Sequence, residues 1–255
     1  MKINDKLKRL IYFGHLNKDK VNKYQTIIRD SEWGAIEDFI NDNSKFLDVG
    51  CGSGYAMTKA IINKGCDAYG IDPEPNSYGV KFNSTTDLKI FQGFAEKIPF
   101  PDFTFDVVYS SHVIEHVNSI EKSLQEFERV LKNEGKVIII VPTAESAWIN
   151  LISNLLLTSH LRFLRFIARP ITKSTRTNFL QVILTYSHGK EDKTVFYDIK
   201  NYKVSSWKKI IERRFRIIST FKPFFYPFPD YIQLFKAHKN KKFGSSVAFI
   251  CEKKY

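Results

Sequence analysis

The stretch Phe46-Leu47-Asp48-Val49-Gly50-Cys51-Gly52-Ser53-Gly54-Tyr55 passes from an apolar run through three closely spaced glycines into a helical pattern. Glycine lets a backbone turn sharply and lets a ligand approach where a Cβ would clash. Outward from this point, short apolar runs alternate with helix-length patterns. Residues 46–49, 68–71, 88–91, 106–110 and 137–141 read as strands, and 55–63 and 120–131 as helices. In the second helix Leu124, Phe127, Val130 and Leu131 share a face. This β-α-β-α order predicts an α/β fold, a mostly parallel sheet covered by helices on both faces.

The 255-residue chain has room for one α/β domain with an insertion, and its 43% hydrophobic and 26% charged content excludes a disordered protein. Cys51, Cys66 and Cys251 are too few and too scattered for a disulfide framework or a Cys-x-x-Cys zinc site. The charged start, MKINDKLKRLIYFGHL, lacks the apolar centre of a signal peptide. The apolar run 148–167 carries Asn150, Asn154, His160, Arg162 and Arg165, too polar for a bilayer span. The expectation is a cytoplasmic protein.

Net charge is +12 and unevenly placed: +1 over residues 1–44, −3 over 45–143 and +14 over 144–255. These divisions follow changes of pattern. Residues 1–44 read as a helical cap with apolar positions at Val21, Tyr24, Ile27, Ile28, Trp33, Ile36, Phe39 and Ile40; residues 45–143 form the ligand-binding core. Residues 144–203 read as a basic insertion. Its first part, 146–169, fits one helix with a polar stripe at Asn150, Asn154, Thr158, Arg162, Arg165 and Arg169. Residues 171–203 show no clear period. Residues 204–255 supply a helix at 205–214 and strands at 216–220 and 247–252. The aromatic, proline-containing loop 221–235 lies between those strands, followed by Lys236, Lys239, Lys241 and Lys242.

Asp72 ends the second strand 24 residues after Asp48. A carboxylate there suits ribose hydroxyls, so loop, helix and acid describe a pocket for an adenosine-bearing ligand. A dinucleotide fingerprint needs G-x-G-x-x-G, whereas the glycines here stand at 50, 52 and 54 with Tyr55 in the sixth position. The Asp48 carboxylate would repel a pyrophosphate but suits a sulfonium and an α-amino group. The reading therefore favours S-adenosylmethionine over NAD.

The sequence resembles the class I methyltransferases, specifically the type 11 family, through FLDVGCGSGY (46–55), YGID (69–72), GFAEKIPFPDFTFDVVYSSHVIEHV (93–117) and FERVLKNEGKVIIIVP (127–142). The resemblance implies a Rossmann-like seven-stranded sheet, mostly parallel with the last strand antiparallel, and a helical insertion before strand six. It implies S-adenosylmethionine as cofactor, with Asp48, Gly50 and Gly52 around its methionine part and Cys51 and Tyr55 also in the cofactor site. Asp72 would bind the ribose, with Pro73, Phe94 and Ala95 beside the adenine and Ser110 over the sulfonium side. Phe94 stands where the family often has Asp, and Lys132-Asn133-Glu134-Gly135 stands for the usual Lys-Pro-Gly-Gly turn.

His112-Val113-Ile114-Glu115-His116 spells an inverted zincin string, but its place after a strand of the cofactor sheet excludes a protease helix. Some relatives hold a divalent metal here through Glu-x-x-Glu-His. This chain has His at the first position and would need a further ligand such as His160 or His188, so no metal is assigned. His112 and His116 are the catalytic choices, as imidazoles able to act as a base, beside a reading in which Glu115 and His116 anchor the helix start. The expected reaction is in-line methyl transfer to a small-molecule or lipid- or glycan-linked acidic acceptor. A degenerate scaffold and an RNA methyltransferase are the alternatives. Aromatics flanked by lysines suit an anionic membrane surface at the inner face, or packing within the protein. Nucleic acid is the weaker partner, because no RNA-binding module is present.

Overall fold

The computed structural model describes residues 18–76, 88–153, 187–190, 193–223, 225 and 243–254. Helix α1 (Lys18–Ile36) and a 3₁₀ turn (Glu37–Phe39) lead into β1 (Lys45–Val49). There follow α2 (Tyr55–Lys64), β2 (Asp67–Asp72), β3 (Lys89–Gln92), β4 (Phe105–Ser111), α3 (Ile120–Val130) and β5 (Leu131–Pro142). Helices α4 (Ala144–Ser153), α5 (Val195–Asn201) and α6 (Val204–Ile211) precede β6 (Phe215–Phe221) and β7 (Ser246–Lys253). The seven strands form one sheet in the order β3-β2-β1-β4-β5-β7-β6. Strands β1 to β5 pair in parallel, and β7 runs antiparallel to both β5 and β6.

Strand order reverses between β1 and β4, so the loops after these neighbours diverge and open a crevice at their carboxyl ends. One loop carries Gly50–Gly54 and the other begins at His112. Successive side chains of the strands serve opposite faces. Phe46, Val107, Tyr109, Ile138, Ile140, Ala248 and Ile250 pack with Trp33 and Ile36 of α1 and Met57 and Ala60 of α2. Leu47, Val108, Ile139, Val141, Phe249 and Cys251 pack with Leu124 and Phe127 of α3 and Trp207 and Ile211 of α6.

Every strand expected from the sequence forms, with ends within about two residues except in β5. That strand starts at Leu131, which the sequence placed in the preceding helix. Its pairing with β4 jumps from Phe105↔Leu131 to Val107↔Lys136. The Lys132-Asn133-Glu134-Gly135 segment is therefore a bulge inside a long strand. Helix α5 falls in the stretch without a sequence period, because seven residues make barely two turns. The expected helix 146–169 is seen as α4; its continuation, with Asn154, Thr158, His160, Arg162, Arg165 and Arg169, lies outside the described residues. So do 226–235 of the aromatic loop and Lys236, Lys239, Lys241 and Lys242. Among the described residues no helix is long and apolar enough to cross a membrane.

Trp207 fixes the C-terminal unit to the sheet. It is buried, stacks on Tyr202 with ring centroids 5.3 Å apart, and donates Nε1–H to the carbonyl of Pro142 at 3.0 Å. Trp207→Ala is expected to lower the unfolding free energy by about 3–5 kcal/mol, as for other large buried rings. Trp207→Phe keeps most of the packing and should cost roughly 1–3 kcal/mol, leaving the carbonyl unpaired. Urea unfolding of the three proteins checks the ranking.

Candidate functional site

The glycine loop leaves β1 with Gly50, Gly52 and Gly54 all at positive φ (76°, 51° and 79°). A Cβ on Gly50 would stand 2.2 Å from Val113 Cγ2, so the loop and the segment after β4 touch at backbone range. Gly50 and Cys51 both donate N–H to the carbonyl of Ile71, which binds the loop to β2. Asp72 completes the arrangement. Its carboxylate is buried and accepts from the N–H of Gly52 at 2.9 Å and of Glu74 at 2.8 Å.

An open cleft lies over this loop. Of the residues expected from the sequence, Asp48, Gly50, Cys51, Gly52, Tyr55 and His112 line it. The others stand elsewhere. Asp72 is beneath the loop, holding its backbone. Pro73 and Phe94 are exposed at the ends of β2 and β3, and Ala95 is buried behind Phe94. Ser110 faces away: it is buried, and its Oγ has no hydrogen-bond partner among the described residues. Its neighbour Ser111 lines the cleft instead, the register that alternation along β4 dictates. His116 is half-exposed outside the cleft.

Helix α1 supplies what sequence reasoning missed. Arg29 and Trp33 line the cleft, and Glu32 between them has no exposed surface. Arg29 donates to Glu32 at 2.7 Å and to Ser111 Oγ at 2.9 Å. His112 Nε2–H donates to Glu32 Oε1 at 3.1 Å, and Ser246 Oγ–H donates to the same oxygen at 3.2 Å. Farther along the cleft, Tyr55 donates its hydroxyl to Asp30, which also pairs with Lys59 at 2.7 Å. A signal for Glu32 was present. It stands four residues from both Ile28 and Ile36, placing a carboxylate on the buried stripe of α1.

The charges divide sharply. Burial opposes ionisation of Glu32, but Arg29 and His112 outweigh it and lower the carboxyl to about 2. Burial likewise opposes the charge on His112, yet Glu32 and Glu115 raise it to about 9. His112 is therefore an imidazolium at neutral pH, positioned to donate a proton or steady an anion, and the general-base role expected from the sequence does not fit this state. Its φ of 56° is a conformation few non-glycine residues adopt, held by its N–H bonding the Ile140 carbonyl at 2.9 Å. Asp48 goes the other way. Burial pushes its carboxyl up to about 7, with Arg29 opposing and the nearby Asp72 adding to the rise. The Cys51 thiol is pushed up by burial and then by Asp48, which makes it a packing group and not a nucleophile.

A family model described as "Methyltransferase domain" matches residues 47–139. A putative methyltransferase of Bacillus subtilis is 30% identical over 136 residues, 51% of this chain and 75% of the relative. The chain belongs to the type 11 family of class I S-adenosylmethionine-dependent methyltransferases. A sterol 4-C-methyltransferase of Caenorhabditis elegans is 31% identical over 106 residues, 39% of this chain and 31% of the relative. A demethylmenaquinone methyltransferase of Chlorobaculum tepidum is 32% identical over 98 residues, 38% and 40% of the two chains. This methyltransferase-family chain thus spans about a third to two fifths of the length of those two relatives. It shares its fold with a Thermotoga maritima protein described as a SAM-dependent methyltransferase, at TM-score 0.53 and 17% identity over 96% of this chain and 100% of that one.

S-adenosylmethionine is the cofactor that membership implies, and the cleft fits it. The cleft runs along a loop that turns at three positive-φ glycines, and a buried carboxylate poised near neutrality lines it, suited to a sulfonium and an ammonium group.

Two outcomes test these assignments. Removing the carboxylate in Glu32→Ala leaves Arg29 and His112 without their buried counter-charge and should cost about 3–5 kcal/mol of stability by thermal unfolding. Asp48, raised above its ordinary value, gives the folded state extra protons between roughly pH 4 and 7, so stability falls as pH rises through that window. Asp48→Asn should match wild type near pH 4 and exceed it at pH 8 by at most about 4 kcal/mol in urea titrations.

Proposed function

We propose that the protein transfers a methyl group from S-adenosylmethionine to an acidic oxygen of a small-molecule or lipid-linked acceptor. The observation carrying this reading is the buried Asp48 carboxylate under a cradle of three positive-φ glycines, with Arg29 and His112 on the opposite wall. Asp48, Gly50, Gly52 and Tyr55 would hold the methionine end, and Asp72 keeps the loop in the receiving shape. The bound cofactor supplies an already activated methyl group. The protein's share is positioning and exclusion of water, which accounts for a large part of such an acceleration.

Arg29 and His112 are cationic at neutral pH and would hold an anionic acceptor oxygen against the methyl-donating side. The names of the sterol and demethylmenaquinone methyltransferases support an acceptor with a large apolar body. This reading assigns residues 1–44 as cap, 45–143 as cofactor-binding core, 144–203 as acceptor lid and 204–255 as the closing unit. The +14 charge of residues 144–255 favours an acidic acceptor or an anionic membrane surface next to it.

Calorimetry with S-adenosylhomocysteine tests the cofactor half. Wild type should bind at micromolar concentration and NAD should not; Asp48→Asn should weaken binding by tenfold or more. Because the Asp48 proton must leave before the carboxylate can face a cation, affinity for S-adenosylmethionine should rise with pH and level off above about 7. Below that point it should fall by up to about tenfold per pH unit. Absence of binding to folded wild type would refute the proposal.

A further inference from the structure

Behind His112, on the side away from Glu32, lies a second buried carboxylate. Glu115 has no exposed surface, and neither of its oxygens has a hydrogen-bond partner among the described residues. Three imidazole nitrogens surround Oε1 instead: His112 Nδ1 at 3.5 Å, His116 Nε2 at 3.9 Å and His188 Nε2 at 3.9 Å. One donor atom each from His112, Glu115 and His188 fall within 4.8 Å of one another. Donors about 2.0–2.2 Å from a common tetrahedral metal stand roughly 3.3–3.5 Å apart, so shifts of about an ångström would close this triangle on an ion.

Two features go beyond coincidence of side chains. His112 presents Nδ1 to the cluster while Nε2–H is held by Glu32 at 3.1 Å. A ring fixed through its far nitrogen by a carboxylate is the arrangement that orients metal-binding histidines and raises their basicity. The His188 segment is also fixed in place. The His188 N–H donates to Asp198 at 2.7 Å, and Lys190 Nζ donates to the Val117 carbonyl at 2.7 Å. A Cβ on Gly189 would stand 2.5 Å from the Glu115 carbonyl oxygen, so only glycine lets this loop close over the carboxylate. The partly exposed His188 ring leaves a route from solvent.

We infer that His112, Glu115 and His188 form a binding site for a divalent first-row transition metal, a class that two imidazoles and one carboxylate select over magnesium or calcium. Coordination through Nδ1 displaces the second proton of the His112 imidazolium, so the ion takes over that positive charge, and because His112 also lines the cofactor cleft the ion borders the acceptor side. There its remaining positions would go to water or an acceptor oxygen, polarising that oxygen for transfer.

The test titrates chelator-stripped protein with Co²⁺ and reads the visible d–d absorption, with Zn²⁺ and Mg²⁺ as competitors. One equivalent should saturate the site at micromolar concentration, displaced by Zn²⁺ and untouched by Mg²⁺. Affinity should fall at least about 100-fold in His188→Ala and in Glu115→Gln, and about 10–100-fold in Glu32→Gln, whose change is one hydrogen bond removed from the ion. Wild type that binds no Co²⁺, or His188→Ala and Glu115→Gln variants that bind as wild type does, would overturn the site. Should Glu115→Gln not fold, His188→Ala decides, because its half-exposed ring can be cut without opening the core. S-adenosylhomocysteine binding is followed separately, so loss of metal is distinguishable from loss of the cofactor cleft.

Discussion

A carboxylate with no exposed surface costs several kcal/mol to dehydrate and survives only when its surroundings return that energy. Glu32 is such a group, and its partners are Arg29 on its own helix and two from distant parts of the chain, His112 after β4 and Ser246 at the start of β7. Each bond draws its element to the same point above the carboxyl ends of the strands. The N-terminal helix is thereby set against the cleft instead of lying anywhere along the sheet. Arg29 then reaches Ser111, and Trp33 closes the wall. One buried charge thus couples the packing of α1 to the shape of the site.

Two other acids show how the same residue type serves opposite ends. Asp72 is enclosed and takes two backbone N–H bonds, so it works as a structural brace for the glycine loop. Asp48, on the neighbouring strand β1, is also buried, and burial with the charge of Asp72 raises its carboxyl to about 7. A carboxylate kept in that condition gains most from an arriving cation. The loop glycines make the turn, and Asp48 places a buried carboxylate against it.

Much of the architecture was legible because it depends on local pattern. Short apolar runs placed every strand, and the Gly50–Gly54 spacing placed the strand-to-helix turn. The errors occur where a local pattern meets a tertiary demand. Leu131 satisfies the helical face of α3 and also begins β5, and pairing with Phe105 decides in favour of the strand. Helix α5 is too short to display a face, so only its packing against α4 defines it.

By itself, the sequence determined the α/β order, the cofactor loop with Asp48 at its base, and the class of ligand those groups admit. These follow from residue type and spacing within a few turns of chain. The tertiary structure decided which side chains face the cleft and in what state of charge. Ser111 lines it and Ser110 does not. His112 is held as a cation between two buried carboxylates, one of them on a helix 80 residues earlier. His188 meets Glu115 only because a distant loop folds over it. Protonation and proximity are properties of the assembled neighbourhood. No single stretch of chain contains the desolvation, the opposing charges or the distances that set them.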